Sequence, residues 1–373
     1  MRTSNLHSSP FLQSTTACRS YFWLLALGGH LVLLRILLTP AERAKLRLPA
    51  KAWLILLSIT LADLVALLLG LPFTALFEIY DDWLFGSLLC HLAPFVKTTA
   101  VTVSAYGILA LLLQCFEIAC KAHRPKTPPT TLTFLVTVIW VLALVTALPL
   151  LIAPAVRVYR GPEHEDLEML MFEHDLEETE ATEEEEKKNS NETLVERQAC
   201  YIPYRFGAIY SYSLLLELLV QFAVPLVMVV YLFIKTADSM NSKAVAAKGV
   251  RRRTDGEQQQ QQQQQTPQLP QISKHEVIFV RTVLILSVVY HLLRTPVILL
   301  EHFIVFPFKH GITLWNALTV LSESTYFIKP FLLLAVNGNF QNALRTIGAS
   351  ATDTTEDANQ VNFNKLEEEP TTP

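Results

Sequence analysis

The stretch "LTFLVTVIWVLALVTALPLLI", Leu132 to Ile152, carries no charged side chain from end to end. About 20 apolar residues make a helix long enough to cross the hydrocarbon core of a bilayer, so the run reads as a membrane span. Six more runs of this kind lie on either side of it: Tyr21–Leu38, Trp53–Phe77, Leu88–Leu113, Ala208–Ile234, Val277–Val305 and Ile312–Val336. The first is short and carries His30 and Arg35. The composition agrees, with 51% hydrophobic against 17% charged residues over 373 positions, too apolar for a soluble domain of this length. The expected fold class is therefore all-α, a bundle of seven transmembrane helices.

Charge sets the threading. The first, third and fifth connections hold Arg43, Lys45, Arg47 and Lys51; then Lys121, Arg124 and Lys126; then Lys235, Lys243, Lys248 and Arg251–Arg253. The second and fourth hold Glu78, Asp81 and Asp82, then a long acidic segment. Basic connections stay on the cytoplasmic side, which places the N-terminus outside and the C-terminus inside. No secretory signal peptide stands before Tyr21, so the first span is expected to act as its own insertion signal.

The expected organisation follows. Residues 1–20 form an extracellular N-terminus, 21–344 the seven-helix domain, and 345–373 a disordered cytoplasmic tail. Within the domain, 153–207 is an acidic extracellular loop and 235–276 a Gln-rich cytoplasmic loop. The part Glu163–Glu196, with Glu183–Glu186, is expected to be disordered, because like charges repel and apolar groups are scarce. Asn191-Glu192-Thr193 inside it fits the glycosylation acceptor, on the side where sugar is added. The tract Gln258–Gln265 reads as a flexible spacer.

Several chemistries find no support. The sequence shows no Gly-rich phosphate loop, no H-E-x-x-H and no nucleophile elbow, so no enzyme, metal or cofactor is expected. The five cysteines lack C-x-x-C spacing, and His30 and His291 stand singly in apolar runs, as satisfied or interfacial histidines do. Arg251–Arg253 lies beside the membrane and suits topology and anionic-lipid contact rather than nucleic acid. No internal repeat is visible, which counts against an inverted-repeat transporter.

Ordered marks along the spans carry a resemblance. "LADL" (Leu61–Leu64) sits in the second span, and "WLFG" (Trp83–Gly86) precedes Cys90 at the top of the third. Trp140 lies in the fourth, Pro225 in the fifth, Pro296 in the sixth and Pro330 in the seventh, with "NGNFQNAL" (Asn337–Leu344) after it like a short membrane-lying helix. From Tyr21 to Leu344 the chain resembles class A (rhodopsin-like) G protein-coupled receptors. The third span is similar to the peptide-receptor branch around endothelin and bombesin receptors. "PFLLL" in the seventh is similar to the endothelin-receptor-like orphans proposed as prosaposin receptors.

The resemblance implies a Cys90–Cys200 disulfide on the outer side, where oxidation persists. Cys115 and Cys120 fall on the cytoplasmic side and stay reduced. It also exposes departures. Where the family carries Asp-Arg-Tyr at the transducer face, this chain has Gln114-Cys115-Phe116. The sixth-span Cys-Trp-x-Pro becomes Leu293-Arg294-Thr295-Pro296, the seventh-span Asn-Pro-x-x-Tyr becomes Lys329-Pro330-Phe331-Leu332-Leu333, and the first-span Gly-Asn becomes Gly29-His30. These losses put ordinary coupling in question. Pro225, Pro296 and Pro330 each remove a backbone hydrogen bond and are expected to kink their helices.

Charges inside the spans need partners, since each costs roughly 2.5–3.5 kcal/mol at mid-bilayer on insertion scales. Asp63 falls where family members bind a sodium ion, with Ser104 at a second ligand position. Lys329 faces that pocket, so its ammonium pairs with Asp63 in the sodium's place, or else snorkels to the cytoplasmic interface. Lys97 holds the position where amine receptors carry an aspartate, which disfavours cationic amines, and Glu323 is expected to face it. Glu217, Arg294, Glu301 and His302 join them in the outward half. A pocket with both signs of charge suits a peptide, whose charged group exchanges for one internal pair, unless these ions simply pair among themselves.

Three functions remain open. The first is a receptor of the plasma membrane for an extracellular peptide or protein, acting through a heterotrimeric G protein, an arrestin or both. The second is a non-signalling or arrestin-biased protein of the same fold, a scavenger or chaperone-like partner of other receptors. The third is an ion or proton transporter. A Ser-, Thr- and acid-rich tail, with Ser350, Thr352, Thr354 and Thr355, offers phosphorylation sites that an arrestin reads.

Overall fold

A computed structural model describes residues 10–46, 48–49, 52–80, 82–120, 129–162, 194–201, 207–256, 273–303, 309–336, 338 and 340–345. Seven of its helices are long and apolar enough to cross a membrane. The spans follow chain order: Pro10–Leu38; Ala52–Leu69 continued by Leu71–Tyr80; Gly86–Ala119; Pro129–Ala147 with a 3₁₀ turn Leu148–Leu151; Gly207–Gly256; Lys274–Phe303; and Lys309–Val336. An antiparallel hairpin, β1 (Ala155–Pro162) and β2 (Leu194–Tyr201), lies between spans four and five, paired from Ala155–Tyr201 to Pro162–Leu194.

Proline chemistry explains the irregular helices. Pro72 has no N–H for the carbonyl four residues before it, and the second span breaks between Leu69 and Leu71. Pro225 does the same in the fifth. Directly before it, Glu217–Ala223 widens into a π-helix, closed by Val224 N–H on the Leu219 carbonyl. Pro94, Pro296 and Pro330 remain inside continuous helices.

The third span forms the axis. Its Val103, Ile108, Leu111 and Leu112 are buried in one apolar core with Ile55 and Ile59 of the second span and Leu33, Ile36 and Leu37 of the first, the first span packing on the second and seventh. Close approach depends on small residues, as is usual between membrane helices. A Cβ on Gly107 would lie 2.6 Å from Ile59 Cγ1, and one on Gly29 would lie 2.9 Å from Pro330 Cγ. The Trp140 indole N–H donates to Ser58 Oγ at 2.6 Å and joins span four to span two. Side chains on the outside, such as Leu31, Phe134, Val145 and Leu292, are exposed and apolar, as lipid contact requires. Residues 340–345 are helical, with Phe340 and Ala343 buried against the bundle.

Three boundaries differ from the sequence expectation. The first helix begins at Pro10, inside the stretch read as an extracellular terminus, because its serines and threonines do not stop a helix. Residues 194–196, read as disordered, are the start of β2, since cross-strand pairing to Arg160, Gly161 and Pro162 outweighs local polarity. The fifth helix runs on to Gly256 and the sixth starts at Lys274, so much of the stretch read as a Gln-rich loop is helical. Asn191, Glu183–Glu186, Gln258–Gln265 and the tail from 346 lie outside the described residues.

Candidate functional site

Two ionic clusters sit one above the other along the third span. The inner one is built on Asp63 of span two, wholly buried. Ser104 Oγ donates to Asp63 Oδ1 at 2.9 Å. Lys329 Nζ, from span seven, donates to the same oxygen at 2.7 Å and to Ser104 Oγ at 3.0 Å. At 4% exposure Lys329 places its amino group inside the bundle rather than at either interface. Two rings flank the ammonium, Tyr326 at 4.9 Å and Tyr290 at 5.6 Å from their centroids. The Tyr290 hydroxyl reaches the Val101 carbonyl at 3.3 Å.

His30 also belongs to this cluster. Its Nε2 bonds the Tyr326 carbonyl oxygen at 2.9 Å and lies 3.6 Å from Asp63 Oδ2. Its place in span one had suggested only an isolated histidine in an apolar run. The missed signal was the departure Gly29-His30, which puts a polar ring at the face where span one meets span seven. Asp63 Oδ2, His30 Nδ1 and the Tyr326 hydroxyl have no hydrogen-bond partner among the described residues.

The outer cluster lies seven residues, about 10 Å, up the third span, from Ser104 to Lys97. Its centre is Glu323 of span seven. Arg19 of span one grips it with two bonds, Nε to Oε2 and Nη2 to Oε1, each 2.7 Å. Lys97 Nζ approaches Oε1 at 3.5 Å. The Lys97 side chain is 33% exposed, against 13% for Arg19 and 10% for Glu323. Arg19 went unrecognised because it precedes the apolar run, in a segment read as outside the bundle. The helix that begins at Pro10 carries it to Glu323 of span seven.

The other residues expected here lie on spans five and six. Glu217 is half-buried at the first position of the π-helix, and no ion pair joins it to the trio among the described residues. Arg294 is half-buried on span six and close enough to Tyr290, Tyr326 and Lys329 to interact electrostatically. Glu301 and His302 are helical, and their side chains lie outside the described residues.

Above the clusters the hairpin is pinned twice. Cys90 and Cys200 form a disulfide, with Cα atoms 5.6 Å apart. Trp83 N–H donates to the Gln198 carbonyl at 2.7 Å, and Gln198 N–H to Asp82 Oδ1 at 2.7 Å. Trp83 is buried between Phe77 and Phe85, and its indole donates to the Gly86 carbonyl at 2.8 Å. Gly86 sits at φ 70°, a conformation that glycine adopts without a Cβ penalty.

At the cytoplasmic end Cys115 is fully buried, Phe116 packs against the core, and Gln114 Oε1 has no partner among the described residues. Ser239 of span five donates to the Ala119 carbonyl at 2.7 Å and ties spans three and five there. An open groove of about 540 Å³ runs between the cytoplasmic halves of spans five and six, lined by Phe233, Met240, Val280 and Leu284 with Asn241 and Arg281.

The comparisons with known proteins agree with this architecture. The family described as "7 transmembrane receptor (rhodopsin family)" matches residues 32–172. The chain is 26% identical to "Neuropeptide Y receptor type 1" of Xenopus laevis over 128 residues, 34% of each protein. It is 30% identical to "Neuropeptide receptor npr-1" of Caenorhabditis elegans over 131 residues, 35% of this chain and 27% of that one. It is 28% identical to "RYamide receptor" of Tribolium castaneum over 94 residues, 25% of this chain and 26% of that one. The chain thus spans about a third or less of the length of these curated relatives. The first two are named as neuropeptide receptors, and none of the three carries the finer endothelin and bombesin likeness drawn from the third span.

Proposed function

We infer that this protein, a divergent class A (rhodopsin-like) seven-helix receptor, is a multi-pass protein of the plasma membrane that senses an extracellular peptide or protein ligand. The observation that carries this reading is the outer cluster. Arg19 satisfies both oxygens of Glu323, which leaves the half-buried Lys97 on a long contact and, among the described residues, in surplus. A charged group of an incoming peptide takes Lys97 over at little cost to the bundle, while a cationic amine meets a site already positive. The neuropeptide ligands named for the relatives support a peptide over a small amine.

Binding then shifts a two-state bundle through its differential affinity for the two states. Spans one, two, three and seven are joined by the ionic clusters, whereas an open groove lies between the cytoplasmic halves of five and six. Opening of five and six toward a heterotrimeric G protein or an arrestin is the movement this division favours. A second reading, an arrestin-biased or non-signalling receptor, is favoured by one feature, the buried Cys115 where the family's arginine would stand.

One experiment separates these. Cells expressing the chain are screened with a neuropeptide library, with G protein activation and arrestin recruitment read in parallel. A peptide that activates a G protein supports the first reading, and recruitment or internalisation alone supports the second. Lys97→Ala should weaken the active peptide by roughly tenfold to a hundredfold, the range for losing a charged hydrogen bond. Unchanged affinity in that variant would remove Lys97 from the ligand site.

A further inference from the structure

The inner cluster stands where class A receptors hold a sodium ion, and its donor set does not fit one. We infer that this receptor takes up no sodium at that site, and that Lys329 is its permanent, tethered cation. Asp63 Oδ1 and Ser104 Oγ are the oxygens a metal would use, and the Lys329 ammonium already lies 2.7 and 3.0 Å from them. A metal bound to the same oxygens would lie against that ammonium with like charge, in a place almost closed to water. The remaining Asp63 oxygen faces His30 Nε2 at 3.6 Å, a nitrogen bonded to the Tyr326 carbonyl. Among the described residues, the polar atoms left over are that oxygen, His30 Nδ1 and the Tyr326 hydroxyl. Hydrogen bonds to a buried water would satisfy all three without another charge.

A tethered cation changes regulation as well as occupancy. A free ion stabilises the state that binds it in proportion to its concentration. Lys329 cannot dissociate, so its contribution is the same at every salt concentration. Spans two, three and seven are thereby held together by a bond that ionic composition does not release.

The test uses the purified full chain in detergent. Thermal unfolding of chains carrying Cys18→Ser and Cys120→Ser is followed with a maleimide dye that reports buried Cys115 becoming reachable, in sodium chloride against equal choline chloride. The native chain should give superimposed curves. Lys329→Ser should leave a vacancy among Asp63 and Ser104 that sodium fills, raising the midpoint in sodium over choline by roughly 3–6 °C. Adding Asp63→Asn to that variant should abolish the response. A sodium-specific rise in the native chain, lost in Asp63→Asn, would overturn the inference. So would a folded Lys329→Ser chain that melts identically in both salts. If Lys329→Ser does not fold, the native curves decide alone: superposition supports the inference and a sodium-specific rise rejects it. No ligand or transducer enters the measurement, so its outcome is independent of the receptor reading above.

Discussion

A lysine and an aspartate inside a membrane bundle are tolerable only together. Removing the Lys329 ammonium strands Asp63, at a cost of about 3–5 kcal/mol for an uncompensated buried charge. Lys329→Ala should therefore reach the cell surface poorly and melt early once purified, while Asp63→Asn combined with Lys329→Asn recovers much of both. Equal surface expression of all three forms would show that the pair contributes nothing to folding. The outer cluster allows a subtler test, because Arg19 binds Glu323 through the fork of its guanidinium. Arg19→Lys keeps the charge and loses the second bond. Glu323 then draws Lys97 closer, and the affinity of the active peptide should fall by roughly tenfold. Competition binding on intact cells measures it, and an Arg19→Lys chain that binds as the native one does would count against Lys97 as the exchanged partner.

At the scale of elements, helix approach is set by missing side chains. Gly107 packs so closely on Ile59 that an added methyl has no room, and overpacking of this kind costs about 1–3 kcal/mol. Gly107→Ala should lower the melting midpoint, and Ile59→Ala in the same chain should restore part of the loss. A midpoint unchanged in Gly107→Ala would mean that spans two and three shift apart freely. The hairpin depends on the bond from Cys200 to Cys90 as well as on Asp82 and Trp83. Cys200→Ser should cost about 2–4 kcal/mol and reduce surface delivery.

At the scale of the whole molecule, ions join spans one, two, three and seven, while an open groove lies between the cytoplasmic halves of five and six. If ligand binding moves five and six, spin labels at Met240→Cys and Val277→Cys should separate on addition of the active peptide. Labels placed on spans two and seven should hold their distance. Double electron–electron resonance reads both, and a ligand-driven change between two and seven instead would place the moving part elsewhere. The threading itself is checked by a tag near Gln260, which antibody should reach only after permeabilisation.

Span number and orientation were legible in the sequence because lipid leaves few choices: an uncharged run such as Leu132–Ile152 must be a helix, and basic connections must stay inside. The need for partners at Asp63, Lys329 and Glu323 was legible for the same reason, since a lone charge in a bilayer is too costly to keep. The pairings Asp63–Lys329 and Lys97–Glu323 followed from the resemblance, but the further partners Arg19 and His30 did not. Arg19 and Glu323 are 304 residues apart in the chain, and His30 meets Tyr326 across 296. Such meetings depend on the rotation of each helix about its axis, which the packing of Gly29 on Pro330 and Gly107 on Ile59 decides. A helix rotation is a property of the assembled bundle, because no residue in a span feels it until the neighbouring spans are in place.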